Sequence, residues 1–216
     1  MQSPSHRVIA IDGPAASGKS SVARELARRL GFIYVNSGAL YRALTWHILD
    51  RAIAPADAAA ISQTISHLSI ECDFTDNDSR VLIDKIDVTA HLRDDAVNRA
   101  VSQVSTSPAV RAIVTAKLRG YAQSHDLVVE GRDIGSVVFP DTPHKFYIDA
   151  APEVRSQRRA SEGQRDEIAT RDQVDSSRPE APLTIAADAH VIDTSAMTID
   201  EVVDAIATRV SQNAPR

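Results

Sequence analysis

The sequence predicts an α/β fold: a doubly wound parallel sheet with helices on both faces, a small insert containing a β-hairpin, and a short, densely charged helical segment. Three observations predict it. Short β-branched strands alternate with amphipathic helices from end to end, which is the signature of βαβ units. The first strand runs directly into a glycine-bounded loop and then a helix, the entry expected of a nucleotide-type sheet. The 216 residues, 43% hydrophobic and 25% charged, suffice for one large core, and no repeat, low-complexity tract or linker divides them.

Each element has its own justification. Arg7–Asp12 is a β-branched run that ends at a glycine. From Ser20 to Leu30, Val22, Leu26 and Leu30 fall on one helical face, Arg24, Glu25, Arg28 and Arg29 on the other, and Gly31 fits a C-cap. Phe32–Val35 reads as a second strand, followed by a helix through Leu40, Leu44 and Ile48; Pro55 is expected to open another. Ser69–Phe74 and Arg80–Asp84 flank the turn at 75–79, a hairpin signal rather than a crossover. Ser107 and Pro108 fit the N-cap and first position of a helix reaching about Gln123. Buried-strand patterns return at Leu127–Val129, Lys145–Ile148 and His190–Ile192. Glu153–Arg178 reads as helical and densely charged, and Thr198 with Glu201 forms a capping box for the last helix.

Composition narrows the function classes. A net charge of −5 argues against a nucleic-acid partner, and no apolar run approaches the ~20 residues of a membrane span. The lone Cys72 makes neither an internal disulfide nor a zinc site, and the first residues lack a leader-like apolar stretch, so a cytoplasmic protein is expected. Without an exposed apolar heptad, a monomer is expected. His47, His67 and His144 have no partner pattern and read as surface or satisfied core; Trp46 reads as packing. The 20 arginines against 4 lysines fit anionic ligands, because a guanidinium grips phosphate bidentately, though genomic bias explains the same ratio.

The strongest motif is Gly13, Pro14, Ala15, Ala16, Ser17, Gly18, Lys19, Ser20, a complete G-x-x-x-x-G-K-[ST] phosphate loop continued by Ser21. Its glycines keep side chains out of the way of a phosphate, and the helix N-terminus adds partial positive charge. Lys19 would reach the β- and γ-phosphates of ATP, and the Ser20 hydroxyl would ligate Mg²⁺. The loop specifies nucleotide binding, not a reaction. The base-reading N-K-x-D of GTPase switches is absent. Glu130, Gly131, Arg132 and Asp133 instead place two carboxylates and an arginine at a strand end, where α/β sheets bind ligands.

With these residues in view, the chain resembles the bacterial cytidylate kinases, P-loop enzymes that phosphorylate CMP and dCMP with ATP. The likeness runs through IDGPAASGKSS at 11–21, NSGALYRA at 36–43, SQVSTSPAVR at 102–111, EGRDIGSVVFPD at 130–141 and RDQVDSSRPEAPL at 171–183. It implies one P-loop kinase domain over 1–216, with a monophosphate-binding insert at about 64–105 and a lid at about 153–178. It also implies that Ser37 lies near the acceptor nucleotide and that Arg42 and Arg132 hold its phosphate. Asp133, Ser102 and Arg111 would read the cytosine, and Asp175 and Arg178 would contact the pentose and the transferring phosphates. Arg158 and Arg171 would close over ATP. Val174 and Ser176 stand where certain relatives carry arginine, which leaves those contacts open.

Chemistry agrees with the implied roles. The acceptor is already an anion, so the transfer needs positioning and charge neutralisation rather than a base. A carboxylate that accepts from the cytosine amino group would reject the carbonyl of uracil. Each residue also has a plainer alternative. Arg42 could be a solvated helix arginine, Arg132 and Asp133 a strand-end ion pair, Ser102 and Arg111 polar helix residues, Asp175 and Arg178 an i,i+3 pair, and Arg158 part of a solvated face. Two rival functions stay open at this point: another nucleoside-monophosphate or small-metabolite kinase, and a nucleotide-binding switch.

Overall fold

A computed structural model describes residues 6–74, 80–161, 172–173, 175–177 and 181–212. They fall into two compact units, one from Met1–Val35 with Tyr121–Arg216 and the other Asn36–Gly120.

The first unit carries a five-stranded sheet in the order β2-β6-β1-β7-β8, built from β1 (Val8–Asp12), β2 (Ile33–Asn36), β6 (Leu127–Gly131), β7 (His144–Asp149) and β8 (His190–Asp193). The central strand β1 pairs in parallel with β6 and β7, and β7 with β8. Val8–Ile11 and Leu127–Val129 are buried throughout, as continuous apolar strands covered on both faces must be. Helix α1 (Lys19–Leu30) follows the loop after β1. Its Val22, Ala23, Leu26 and Ala27 join Ile9, Ile11, Val128, Phe146 and Ile148 in one core with Val202, Val203, Ile206 and Val210 of the last helix, α7 (Ile199–Gln212). Gly31 ends α1 in the left-handed region at φ 68°, as expected. The capping box also forms: the Thr198 amide donates to Glu201 Oε2 at 2.8 Å, and the Glu201 amide donates to Thr198 Oγ1 at 3.3 Å. A charged helix, α6 (Pro152–Ser161), follows β7. The rest of the charged stretch expected to be helical lies largely outside the described residues.

The second unit is mostly helical: α2 (Ser37–Asp50), α3 (Ala58–Ile65), α4 (Asp95–Val104) and α5 (Pro108–Tyr121). The hairpin is present, with its turn outside the described residues. β3 (Ile70–Asp73) pairs antiparallel with β4 (Arg80–Ile83), and a short β5 (Ile86–Asp87) extends the pair to three strands. Helix α2 packs against α4 and β4. One boundary differs from expectation. Pro55 lies in a turn and does not open α3; Asp57 caps that helix instead, accepting from the Ala60 amide at 3.0 Å. The other unforeseen element is a π-helical turn at Ile134–Val138, directly after the Gly131-Arg132-Asp133 segment.

Candidate active site

The loop between β1 and α1 is shaped by backbone constraints. Gly13 has φ 153°, and a Cβ there would lie 2.1 Å from the Ile148 carbonyl oxygen, so only glycine fits. Ala16 and Gly18 also have positive φ, at 59° and 90°. Gly18 stands at the N-cap of α1 without a side-chain cap, which leaves the helix entry to backbone groups. Lys19 is buried, and its Nζ donates to the Pro14 carbonyl at 2.9 Å, so the lysine is folded back along its own loop. Ser20 and Ser21 are exposed at the first turn. The Ser17 hydroxyl is buried and has no hydrogen-bond partner among the described residues.

Two arginines of α6 hold this loop. Arg158 Nη1 donates to the Ser17 carbonyl at 3.2 Å, and its Nη2 to the Thr194 carbonyl at 2.9 Å. The Thr194 hydroxyl donates to the same Ser17 carbonyl at 3.0 Å. Arg158 is therefore anchored to the loop, and its reading as part of a solvated face fails. Arg155, which sequence reasoning did not single out, donates to the Ala15 carbonyl at 3.2 Å and pairs with Asp172. Asp172 in turn accepts from the Ala15 amide at 3.2 Å. Only the i,i+3 spacing of two arginines on one helix could have signalled Arg155, and many solvated helices share that spacing. Arg171 and Arg178 lie outside the described residues.

At the end of β6, Arg132 Nε donates to Asp175 Oδ2 at 2.8 Å, with the carboxylate buried and the guanidinium mostly so. Two residues expected in one site are thus brought together, and the aspartate fixes the aim of the arginine. Asp133 is buried beside it at 4% exposure. Asp12, another unanticipated residue, ends β1 with a buried carboxylate that accepts from the Ile134 amide at 2.8 Å and the Gly135 amide at 2.7 Å. Burial raises its pKa to about 6 against the pull of those two amides; Asp133 adds to the rise and Arg132 opposes it.

In the second unit, Ser37 is buried in the first turn of α2, where Asn36 caps the helix by accepting from the Ala39 amide at 3.1 Å. Arg42 is half-buried, its Nη1 3.4 Å from the Gly38 carbonyl. A Cβ on Gly38 would come within 3.0 Å of Asn36 Oδ1 and 3.2 Å of Arg42 Nη1, so the missing side chain makes room for both. Arg111 is buried on α5, donates to the Ser105 carbonyl at 3.3 Å, and lies over the Tyr41 ring at 5.7 Å. Ser105 Oγ donates to the Ser102 carbonyl at 2.8 Å, so one corner between α4 and α5 sets both Ser102 and Arg111. Of the residues set aside, Trp46 stacks on His91 with centroids 5.1 Å apart, and buried His47 lies 3.0 Å from Arg51. His67 is exposed. His144 is in the core, one of the two places expected for it, but it is not satisfied there: its Nδ1 has no partner among the described residues, and burial lowers its pKa.

A glycine-built loop at a helix entry, backed by arginines, provides donors for a polyphosphate. The Arg132–Asp175 pair and Asp133 place a guanidinium and two buried carboxylates at the next strand end. Among the described residues no cluster of three or more His, Cys, Asp or Glu side chains could hold a metal, and no helix is long and apolar enough to cross a membrane.

Comparison with known proteins gives one answer. The family model described as cytidylate kinase matches residues 9–212. The chain is 41% identical to the cytidylate kinase of Pelotomaculum thermopropionicum, covering 94% of this chain and 95% of that one. It is 43% identical to that of Corynebacterium efficiens over 90% of each chain. It is 42% identical to that of Mycobacterium leprae, covering 95% and 96%. A solved structure from Chloroflexus aurantiacus superposes with a TM-score of 0.50 at 13% identity, over 99% of this chain and 100% of that one, a likeness of fold alone.

Proposed function

The chain belongs to the cytidylate kinase family, and from that premise we propose how its residues transfer the γ-phosphoryl group of ATP to CMP or dCMP, giving ADP and CDP or dCDP. The observation that carries the reading is the backbone-built Gly13–Ser20 loop, joined in one chain to the family's acceptor motifs.

The amides of the loop and the N-terminus of α1 cradle the β-phosphate of ATP. Lys19 swings from the Pro14 carbonyl onto the β- and γ-phosphates. Arg158 and Arg171 neutralise the phosphoryl group as it moves. The exposed Ser20 hydroxyl, with no protein metal cluster beside it among the described residues, fits a cation delivered with the nucleotide. Mg²⁺ held by Ser20, phosphate oxygens and waters would supply charge neutralisation. On the acceptor side, Arg42 and Arg132 hold the CMP phosphate and aim its attacking oxygen. Asp175 braces Arg132 and, with Arg178, contacts the pentose and the transferring phosphates. Ser37 lies near the acceptor nucleotide, and Asp133, Ser102 and Arg111 read the cytosine edge. The insert at about 64–105 and the lid at about 153–178 serve acceptor binding and closure. The same reading has the enzyme act as a monomer in the cytoplasm.

The test is ADP release from ATP·Mg²⁺ with CMP, dCMP, UMP, AMP and dTMP offered in turn. Strong turnover confined to CMP and dCMP is expected. A preference for another acceptor would overturn the roles of Asp133, Ser102 and Arg111 while leaving the phosphate loop in place.

A further inference from the structure

We infer that Asp12 is a positioning residue for the acceptor site: its buried carboxylate holds the turn at Ile134–Gly135 and so sets the aim of Arg132 and Asp133. The inference rests on the acceptor-side roles proposed above for those two residues.

The geometry is specific. Asp12 is the last residue of β1 and lies in register with Gly131, the last residue of β6. Its two oxygens accept from two consecutive amides, Ile134 at 2.8 Å and Gly135 at 2.7 Å. Those amides open the π-helical turn that follows Arg132 and Asp133, and Asp133 at the N-cap of that turn makes no side-chain cap. Asp12 therefore supplies from a neighbouring strand the cap that the turn lacks. Gly135 is packed on its other side by Lys145. A Cβ there would lie 3.1 Å from Lys145 Cγ and 3.4 Å from Asp12 Oδ2. Gly13, the first residue of the phosphate loop, follows Asp12 directly, so one residue is common to the base of the loop and the support of the acceptor reader.

The ionised form is the working one. Two facing N–H groups are best met by two charged oxygens, and protonation turns one of them into a hydroxyl that accepts far more weakly. Burial brings this titration to about pH 6, with Asp133 raising it and Arg132 lowering it. Tyr147 of the adjacent β7 also feels the Asp12 charge.

The experiment compares Asp12→Asn with the unaltered enzyme. The asparagine keeps one acceptor and turns an N–H₂ toward an amide N–H. The expected result is a rise in the KM for CMP on the order of tenfold, with the KM for ATP changed less than about twofold. The KM for CMP in the unaltered enzyme should also rise as pH falls through about 6. Because the CMP phosphate titrates nearby, the part of that limb absent from Asp12→Asn belongs to Asp12. Equal effects on both substrates, or an acid limb identical in both proteins, would overturn the inference. Arg132→Ala and Asp133→Ala, measured alongside, separate the two possible failures. If they damage CMP use and Asp12→Asn does not, the positioning role is wrong and the acceptor reading stands. If neither affects CMP use, the acceptor reading itself is wrong. Should Asp12→Asn not fold, the unaltered ligand-free enzyme carries the test by NMR. The Ile134 and Gly135 amide protons and the Arg132 Nε–H should shift together as Asp12 titrates, with a midpoint near pH 6, and amides that move while the Arg132 Nε–H stays fixed would overturn the proposal.

Discussion

Two neighbouring strands of one sheet, β1 and β6, end level with each other and hand over to opposite kinds of structure. After β1 the chain becomes a backbone device. Gly13 has no room for a Cβ, Gly18 and Ala16 have positive φ, and the helix begins with no capping side chain. After β6 it becomes a side-chain device. Arg132 is braced by Asp175, Asp133 is buried, and the first amides of the following turn are taken up by Asp12. Strand-end position alone therefore does not decide what a site offers. Where glycines keep side chains away, backbone donors are left open to a ligand; where a buried carboxylate consumes those donors, recognition is left to side chains.

The largest effect should come from breaking the backbone device. Gly13→Ala places a methyl group against the Ile148 carbonyl and should cost about 3 kcal/mol or more of stability, together with ATP binding. Urea unfolding and nucleotide titration measure both, and a stable variant that binds ATP would show the loop to be more yielding than its geometry implies. Lys19→Ala leaves the backbone intact and should lower kcat on the order of 10²-fold or more at unchanged melting temperature. Normal turnover would remove Lys19 from catalysis. Turning to the side-chain device, Arg132→Ala should raise the KM for CMP on the order of tenfold and spare that for ATP; steady-state kinetics in both substrates reads the split.

The smallest signal is thermodynamic. Asp12 has a folded pKa raised from 3.8 to about 6, so its contribution to stability is fully present below its unfolded value and is lost as pH rises through about 6. Unfolding free energies of the unaltered enzyme minus those of Asp12→Asn should therefore increase as pH falls from neutrality toward 4. A difference that is flat with pH would mean that Asp12 titrates at its ordinary value. Stability and acceptor binding would thus respond to acid in opposite directions at one residue.

The contrast between the strand ends also explains what could be read from the residues alone. The phosphate loop was legible because its chemistry demands particular residue types at fixed spacing, and the sheet was legible because buried parallel strands are continuous apolar runs. Gly31 and the Thr198–Glu201 box were legible for the same local reason. The π-helical turn was not, since its entry is satisfied by Asp12, 122 positions away in the chain. Asp12 itself looked like the end of a strand. Arg155 looked like one more charge on a charged helix, and its partners Ala15 and Asp172 are contacts made only by folding. Pro55 suggested a helix start on local preference, but the aspartate two residues later provides the oxygen that a helix entry needs.

Helix α1 opens on Gly18, where ordinary helices carry a serine, threonine or aspartate worth about 1 kcal/mol to them. An acidic or hydroxyl-bearing side chain at that position would compete for the entry that an anion needs. In the proposed binding mode the phosphates of the nucleotide finish the first turn of this helix, so nucleotide binding and folding would draw on the same free energy. Its resistance to heat and to proteases should consequently rise with added ATP by mass action, even with no acceptor present.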